Sequence, residues 1–251
     1  LLLSPPLLLL LLSFSHLLFP TLICSNNGLQ LKNAKFENNS AAGNGGAIAS
    51  NINNVKMSIS QSEFYGNIAT KQAGALHLTS SGAAATLTDT KFERNRAGTN
   101  GGALSVTDRA GLQMFSSSGV GNIAMNGDGG FLYVSFSEKI LLSDLSLKRN
   151  RASGGAGVVV FTSEVAIADS NVDENIAEKK GGAFSLNVGS VLHVISSNFT
   201  KNQAEVGGDI NVQGSTLVVH PVSSSFIWPK TSPSFALPVH VGKQEWEYKE
   251  F

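Results

Sequence analysis

Seven aspartates, five histidines and one cysteine are among the side chains of this 251-residue sequence from which a reaction centre could be built. Two carboxylates converging on one bond would hydrolyse a glycoside. Several carboxylates beside a cation would hold the calcium of a polysaccharide lyase. The aspartates are Asp89, Asp108, Asp128, Asp144, Asp169, Asp173 and Asp209, with no adjacent pair and no shared position in the repeat described below. Asp169, Asp173 and Glu174, with Arg151 near them in a stack, come closest to a catalytic group and read as a charged turn. The histidines (His16, His77, His193, His220, His240) form no His-x-x-x-His, and His77 and His193 read as outward-facing residues of different strands. Cys24 stands alone, so no intrachain disulfide forms. The Gly-Gly pairs lack the Lys and following helix that phosphate binding needs. No catalytic, cofactor or metal residues are expected. A binding strip is the other chemistry on offer, with Arg94, Arg96, Arg149 and Arg151 as its most basic part. Asn38-Asn39-Ser40 and Asn198-Phe199-Thr200 match the N-glycosylation pattern at Asn38 and Asn198.

The elements that would position these residues come from one repeated phrase, clearest in Lys91–Val106, KFERNRAGTNGGALSV. An aromatic residue is followed three positions on by Asn, then a small residue, a polar loop, Gly-Gly and an apolar run. Phe36–Asn39 leads to Gly45-Gly46, Phe64–Asn67 to Ala73-Gly74, and Phe92–Asn95 to Gly101-Gly102. Asn122 leads to Gly129-Gly130, Asn150 to Gly154-Gly155, Asn175 to Gly181-Gly182, and Phe199–Asn202 to Gly207-Gly208. The Asn residues step by 28, 28, 27, 28, 25 and 27, which is the mark of a stacked repeat architecture.

Within a repeat, period-2 apolar runs such as Val55, Met57, Ile59 or Phe184, Leu186, Val188 read as short strands. The chain is therefore expected to be all-β, with about seven coils of a parallel β-helix spaced by about 4.8 Å. Phe36, Phe64 and Phe92 would stack as an internal aromatic ladder continued by Leu147, Val172 and Phe199. The Asn series would form a second ladder, and Asn would take the left-handed conformation of a corner. Charges of mixed sign between Phe and Gly-Gly would line one exposed side of the rod, read first as a solvated face that keeps it soluble and its edges from pairing, with the binding strip as the alternative.

The expected division is 1–25, 26–220 and 221–251. Residues 1–25 carry no charge and read as a signal-like apolar segment, which Pro5, Pro6 and Pro20 interrupt too often for a membrane span. Residues 26–220 are the solenoid. Residues 221–251, with four prolines and both tryptophans (Trp228, Trp246), read as a cap or linker. Zero net charge gives no reason to expect nucleic acid or an anionic membrane as partner.

FxxN at Phe36–Asn39, Phe64–Asn67, Phe92–Asn95 and Phe199–Asn202, in step with GGAI at Gly45–Ile48, GGAL at Gly101–Leu104 and GGAF at Gly181–Phe184, resembles the chlamydial polymorphic outer-membrane protein repeat. The resemblance covers roughly residues 29–219. It implies a right-handed parallel β-helix of the pectate-lyase-like superfold, carried as an autotransporter passenger at the cell outer membrane and acting in adhesion. The sequence departs from that pattern at Gly119, which replaces Phe in the fourth copy, in the shortened fifth loop, and in lacking a translocating barrel. The expected function is thus a non-catalytic, monomeric, secreted or surface-displayed scaffold that binds a cell-surface protein or glycan. The alternative is a polysaccharide lyase or glycoside hydrolase with its site in coils four to six.

Overall fold

The computed structural model describes residues 28–137 and 139–220 in full, with the backbone of strands Leu11–Leu12 and Thr21–Ser25. The signal-like reading of 1–25, the cap or linker reading of 221–251, His16 and His240 otherwise lie outside the described residues.

The described chain winds as seven coils of strands with no helix. Coil 3 shows the plan: Ala84–Thr88, Lys91–Glu93, Arg96–Ala97 and Leu104–Thr107 are its four strands. Each pairs in parallel with its counterparts in the neighbouring coils, for example Leu76↔Leu104↔Leu132 and Phe64↔Phe92↔Gly119. The result is three stacked sheets of 14, 8 and 6 strands. The long sheet carries the strands before and including the aromatic position. The eight-stranded sheet carries those after Gly-Gly, and the short sheet those after Asn. Two antiparallel strands complete the N-terminal edge: Leu11–Leu12 on Ile48–Ala49, and Thr21–Ser25 on Gly28–Lys32.

Alternation places one set of side chains inside every coil. Leu29, Met57, Ala85, Leu112, Ile140, Val165 and Leu192 form one buried row on the long sheet. Phe36, Phe64 and Phe92 are fully enclosed and stack nearly parallel, with ring centroids 4.7 and 4.8 Å apart. That is the coil spacing itself, so the rings lie in register with the backbone ladder.

The asparagines form a second internal ladder in which every polar atom is used. Asn67 donates its backbone N–H and one Nδ2 proton to Asn95 Oδ1, at 3.0 and 2.9 Å. Its other Nδ2 proton goes to the Phe36 carbonyl at 3.0 Å. Its own Oδ1 accepts from Asn39 N and Nδ2, at 3.0 and 2.8 Å. Two donors and two lone pairs are all an amide has. The pattern repeats through Asn122, Asn150 and Asn175 to Asn202. There Asp209 Oδ1 accepts the Nδ2 proton at 2.9 Å that a further asparagine would take.

Three details differ from the sequence reading. The left-handed corner is not at the ladder asparagines but one residue earlier. Asn38, Gly66, Arg94, Gly121, Arg149, Glu174 and Lys201 all have φ between 53° and 65°. The ladder fixes the asparagine's side chain, so the preceding residue turns the chain whatever its type. In coil 5 the glycine pair in register is not Gly154-Gly155. A bulge between Ala152 and Gly154 moves the turn to Gly155-Ala156, and Val158 then aligns with Leu132. Gly119, finally, leaves coil 4 in step, paired between Phe92 and Leu147.

Candidate recognition surface

The four arginines of the basic strip lie along one edge of the rod. Arg96 and Arg151 belong to the outward column of the short sheet, which reads Ser40, Ile68, Arg96, Ile123, Arg151, Ile176 up the stack. Arg94 and Arg149 stand on the adjoining left-handed corner with Gly121 between them. Cations therefore recur every second coil, about 10 Å apart by the strand spacing, with isoleucines between. Ile68 and Ile176 are 41% and 37% exposed. Arg94 donates to Tyr65 Oη at 2.9 Å and its guanidinium lies 5.7 Å from that ring centroid. Arg149 Nε pairs with Glu174 at 3.0 Å. Arg96 and Arg151 are exposed and make no ion pair with a described residue. In coils 1 to 3 the neighbouring charges cancel among themselves: Lys35–Glu37 at 2.7 Å and Lys91–Glu63 at 3.6 Å line a groove of about 280 Å³. Such exposed pairs keep the surface soluble and contribute little else.

The carboxylates do not gather as the sequence reading grouped them. Asp173 and Glu174 turn to Lys148 and Arg149, not to Arg151, with Lys148 2.9 Å from Asp173. Hydrogen bonds from Lys148 and then Thr200 hold the Asp173 carboxyl below its usual range. Asp169 stands on the corner at the other end of that strand. The expectation that no two aspartates share a repeat position is also corrected. Asp89, Asp144 and Asp169 all occupy the left-handed corner before the aromatic strand, with Asp144 and Asp169 in adjacent coils. Asp tolerates that conformation well, which accounts for its recurrence. All three are exposed. Asp128 is half-buried beside Gly154, and burial raises its carboxyl against the Gly154 N–H bond and nearby Lys179. Among the described residues no group of three His, Cys, Asp or Glu side chains is placed to hold a metal ion.

His77 and His193 are buried, where the sequence suggested solvent-facing positions. Both do point outward from their strands, but His77 lies beneath the loop of the coil before it, with Asn44 Nδ2 3.3 Å from Nε2. Burial lowers its imidazole to about 4. His193 lies between Glu164, with Nε2 2.9 Å from Oε1, and His220, with Nδ1 3.2 Å from Nε2. Burial lowers His193 to about 4 and raises Glu164 to about 7, so the Glu164–His193 contact is a hydrogen bond to a neutral ring. No motif marks this diagonal, since 29 residues separate its first two members.

Asn38 and Asn198, the two sequon asparagines, are exposed on the corner and on strand Asn198–Thr200. Asn198 Nδ2 donates to Asn171 Oδ1 at 3.2 Å. A further surface feature went unread in the sequence. Asp108, Phe136 and Thr162 follow one another up the corner after the eight-stranded sheet, at the edge of an open basin of about 500 Å³. Only the stacking register brings them together.

Fold and surface together define a parallel β-solenoid with an asparagine ladder, an aromatic ladder and an uneven, polar outer face. Residues 33–51, which hold Phe36, Asn39 and Gly45–Ile48 of coil 1, match the model of the Chlamydia polymorphic membrane protein repeat. No curated protein and no solved structure matches the chain significantly.

Proposed function

We propose that this chain is a non-catalytic recognition rod displayed at a cell surface, where it acts in adhesion, as the passenger of a polymorphic membrane protein would. The observation that carries the reading is the outward column of the short sheet. Its alternating Ile68, Arg96, Ile123, Arg151 and Ile176 offer a partner apolar contact and, at a regular spacing, cations that make no ion pair with a described residue. Desolvated arginines flanked by apolar side chains are what interface cores favour. The match of residues 33–51 to the repeat supports a location at the outer membrane or cell surface. Zero net charge supports a partner other than nucleic acid. The rod acts as a monomer in this reading.

The test is binding of the full chain to a panel of cell surfaces, beside an Arg96→Glu/Arg151→Glu variant, with assay of any released sugar. Saturable binding that the double variant loses supports the scaffold. Binding unchanged in the variant removes the column from the reading. Release of unsaturated or reducing sugar ends would replace the scaffold with the lyase or hydrolase alternative.

A further inference from the structure

We propose that the basin at the Asp108–Phe136–Thr162 corner is a sugar-binding subsite that takes one pyranose ring of an uncharged glycan. It deepens the recognition reading above, rests on it for access to a ligand, and uses a different part of the rod.

Phe136 is the anomaly that marks the place. It is 61% exposed, whereas Phe36, Phe64, Phe92, Phe131 and Phe184 are buried. Its φ is +48°, a left-handed backbone that a bulky side chain adopts only at a cost. Asp108 below it and Thr162 above it share that corner conformation, at +56° and +43°. A glycine would occupy the corner without strain, as Gly214 does in coil 7 with φ +56°. A strained residue held on the surface points to a use for its side chain.

The surroundings supply the rest of a sugar site. The basin is about 500 Å³ and is lined by Ser81, Asp108, Arg109, Phe136, Ser137 and Thr162. That volume suits a small ligand held by one apolar surface and a few fixed polar groups. A phenyl face packs against the C–H face of a pyranose. Asp108 Oδ2 accepts from Thr79 Oγ1 at 2.7 Å and from Thr107 Oγ1 at 3.2 Å, which fixes the carboxylate. Oδ1 takes no hydrogen bond from a described residue and is available to a sugar hydroxyl. Arg109 is exposed, makes no ion pair with a described residue, and would donate to ring or hydroxyl oxygens. One carboxylate and one guanidinium balance, so the subsite selects an uncharged ring over a sulfated or carboxylated one. The basin opens along the corner, which lets a longer chain run past it.

The experiment uses the full chain and a panel of neutral gluco-, manno-, galacto- and N-acetylglucosamine oligosaccharides, read by saturation-transfer NMR and calorimetry. At least one oligosaccharide should bind saturably. Phe136→Gly should weaken that binding roughly tenfold or more, which is about 1.4 kcal/mol or more, with Tm unchanged or higher because the strain is gone. Asp108→Asn should weaken it too. No binding across the panel, or binding that Phe136→Gly leaves intact, overturns the proposal. Cell binding separates the two readings. If Arg96→Glu/Arg151→Glu abolishes it and no oligosaccharide binds, the recognition rod stands and the subsite falls. If a sugar binds at Phe136 while the double variant keeps full cell binding, the subsite stands and the arginine column falls.

Discussion

Phe131 occupies the space that Gly119 leaves in the aromatic stack. In coils 1 to 3 the strand position is Phe and the residue after Gly-Gly is Ala; in coil 4 the large and small residues have changed places. A Cβ on Gly119 would collide with the Phe131 ring. That ring lies edge-on to Phe92, with centroids 6.1 Å apart and planes at 72°. Coil 4 is thus a repacked copy of the repeat, with the same volume supplied from the opposite sheet.

The exchange predicts strong coupling between the two positions. Phe131→Ala should cost about 3–5 kcal/mol, as a buried aromatic truncation does. Gly119→Phe should cost about 1–3 kcal/mol through overpacking. The double variant restores the arrangement of coils 1 to 3 and should recover most of the loss, an interaction energy of at least about 2 kcal/mol. Denaturant melts of the four proteins decide this, and additive losses would refute the exchange.

The asparagine ladder should fail most in its middle. Asn95→Ala deprives the Asn67 backbone N–H and Nδ2 of their shared acceptor and removes the donor to the Phe64 carbonyl. Buried groups left unpaired cost about 1–3 kcal/mol each, so a loss of about 3–5 kcal/mol is expected. Asn202 is half-buried at the last rung, where Asp209 completes its bonding. Asn202→Ala should cost well under half as much. Equal Tm shifts for the two variants would show that the ladder does not act as a buried network.

These two internal ladders were legible because each depends on one residue type at one position. Phe36, Phe64 and Phe92, and the seven asparagines, must be what they are for the stack to close, so their spacing gave the coil. The corners were not legible. Asn38, Gly66, Arg94 and Glu174 share one backbone conformation and no side-chain property. Gly119 stands in the sequence as a departure from the repeat because its compensation at Phe131 lies on another sheet. The bulge after Ala152 hid the register of Gly155, since a sequence offering Gly154, Gly155 and Gly157 does not say which one turns. The basic strip followed from charge and period. The Phe136 basin did not, because no motif joins Asp108 to Thr162 until the coils are stacked.

Acid should unfold the rod partly through His77. In the fold its imidazole stays neutral down to about 4, against 6.5 when free, because burial outweighs the attraction of Asp108. Between those values the unfolded chain binds a proton that the folded chain refuses. The stabilisation is therefore complete above pH 6.5 and is lost as pH falls toward 4. For one fully buried ring the loss would be about 3 kcal/mol. Glu164, raised to about 7 chiefly by burial, works in the opposite sense, losing stabilisation as pH rises from 4.5. The His77 contribution is therefore read as a difference. Wild type minus His77→Gln stability, measured from pH 7.5 to 4, should fall through that window; a flat difference would mean His77 protonates as freely in the fold as in the unfolded chain.

The two positions of each turn exclude a side chain for different reasons. The first needs a left-handed backbone, with φ +65° at Gly45 and +69° at Gly101, and coil 2 places Ala73 there at +59°. An L-residue in that region costs about 1–2 kcal/mol. Glycine returns part of that gain, about 0.4–1 kcal/mol, by loosening the unfolded chain. The Ala73 methyl is fully buried and its loss costs about 0.8 kcal/mol more, so Ala73→Gly should change stability by less than about 1 kcal/mol. The second glycine has an ordinary φ but no room: a Cβ on Gly102 would enter the Gly130 carbonyl oxygen and the Ile123 backbone of the next coil. That neighbour is ladder backbone and cannot move without opening the coil stack, so Gly102→Ala should cost at least about 2 kcal/mol. Melting the two variants beside wild type gives the answer directly, since Ala73→Gly should leave Tm nearly unchanged while Gly102→Ala lowers it. A clear fall in Tm for Ala73→Gly would mean that the stack imposes no left-handed strain at Ala73.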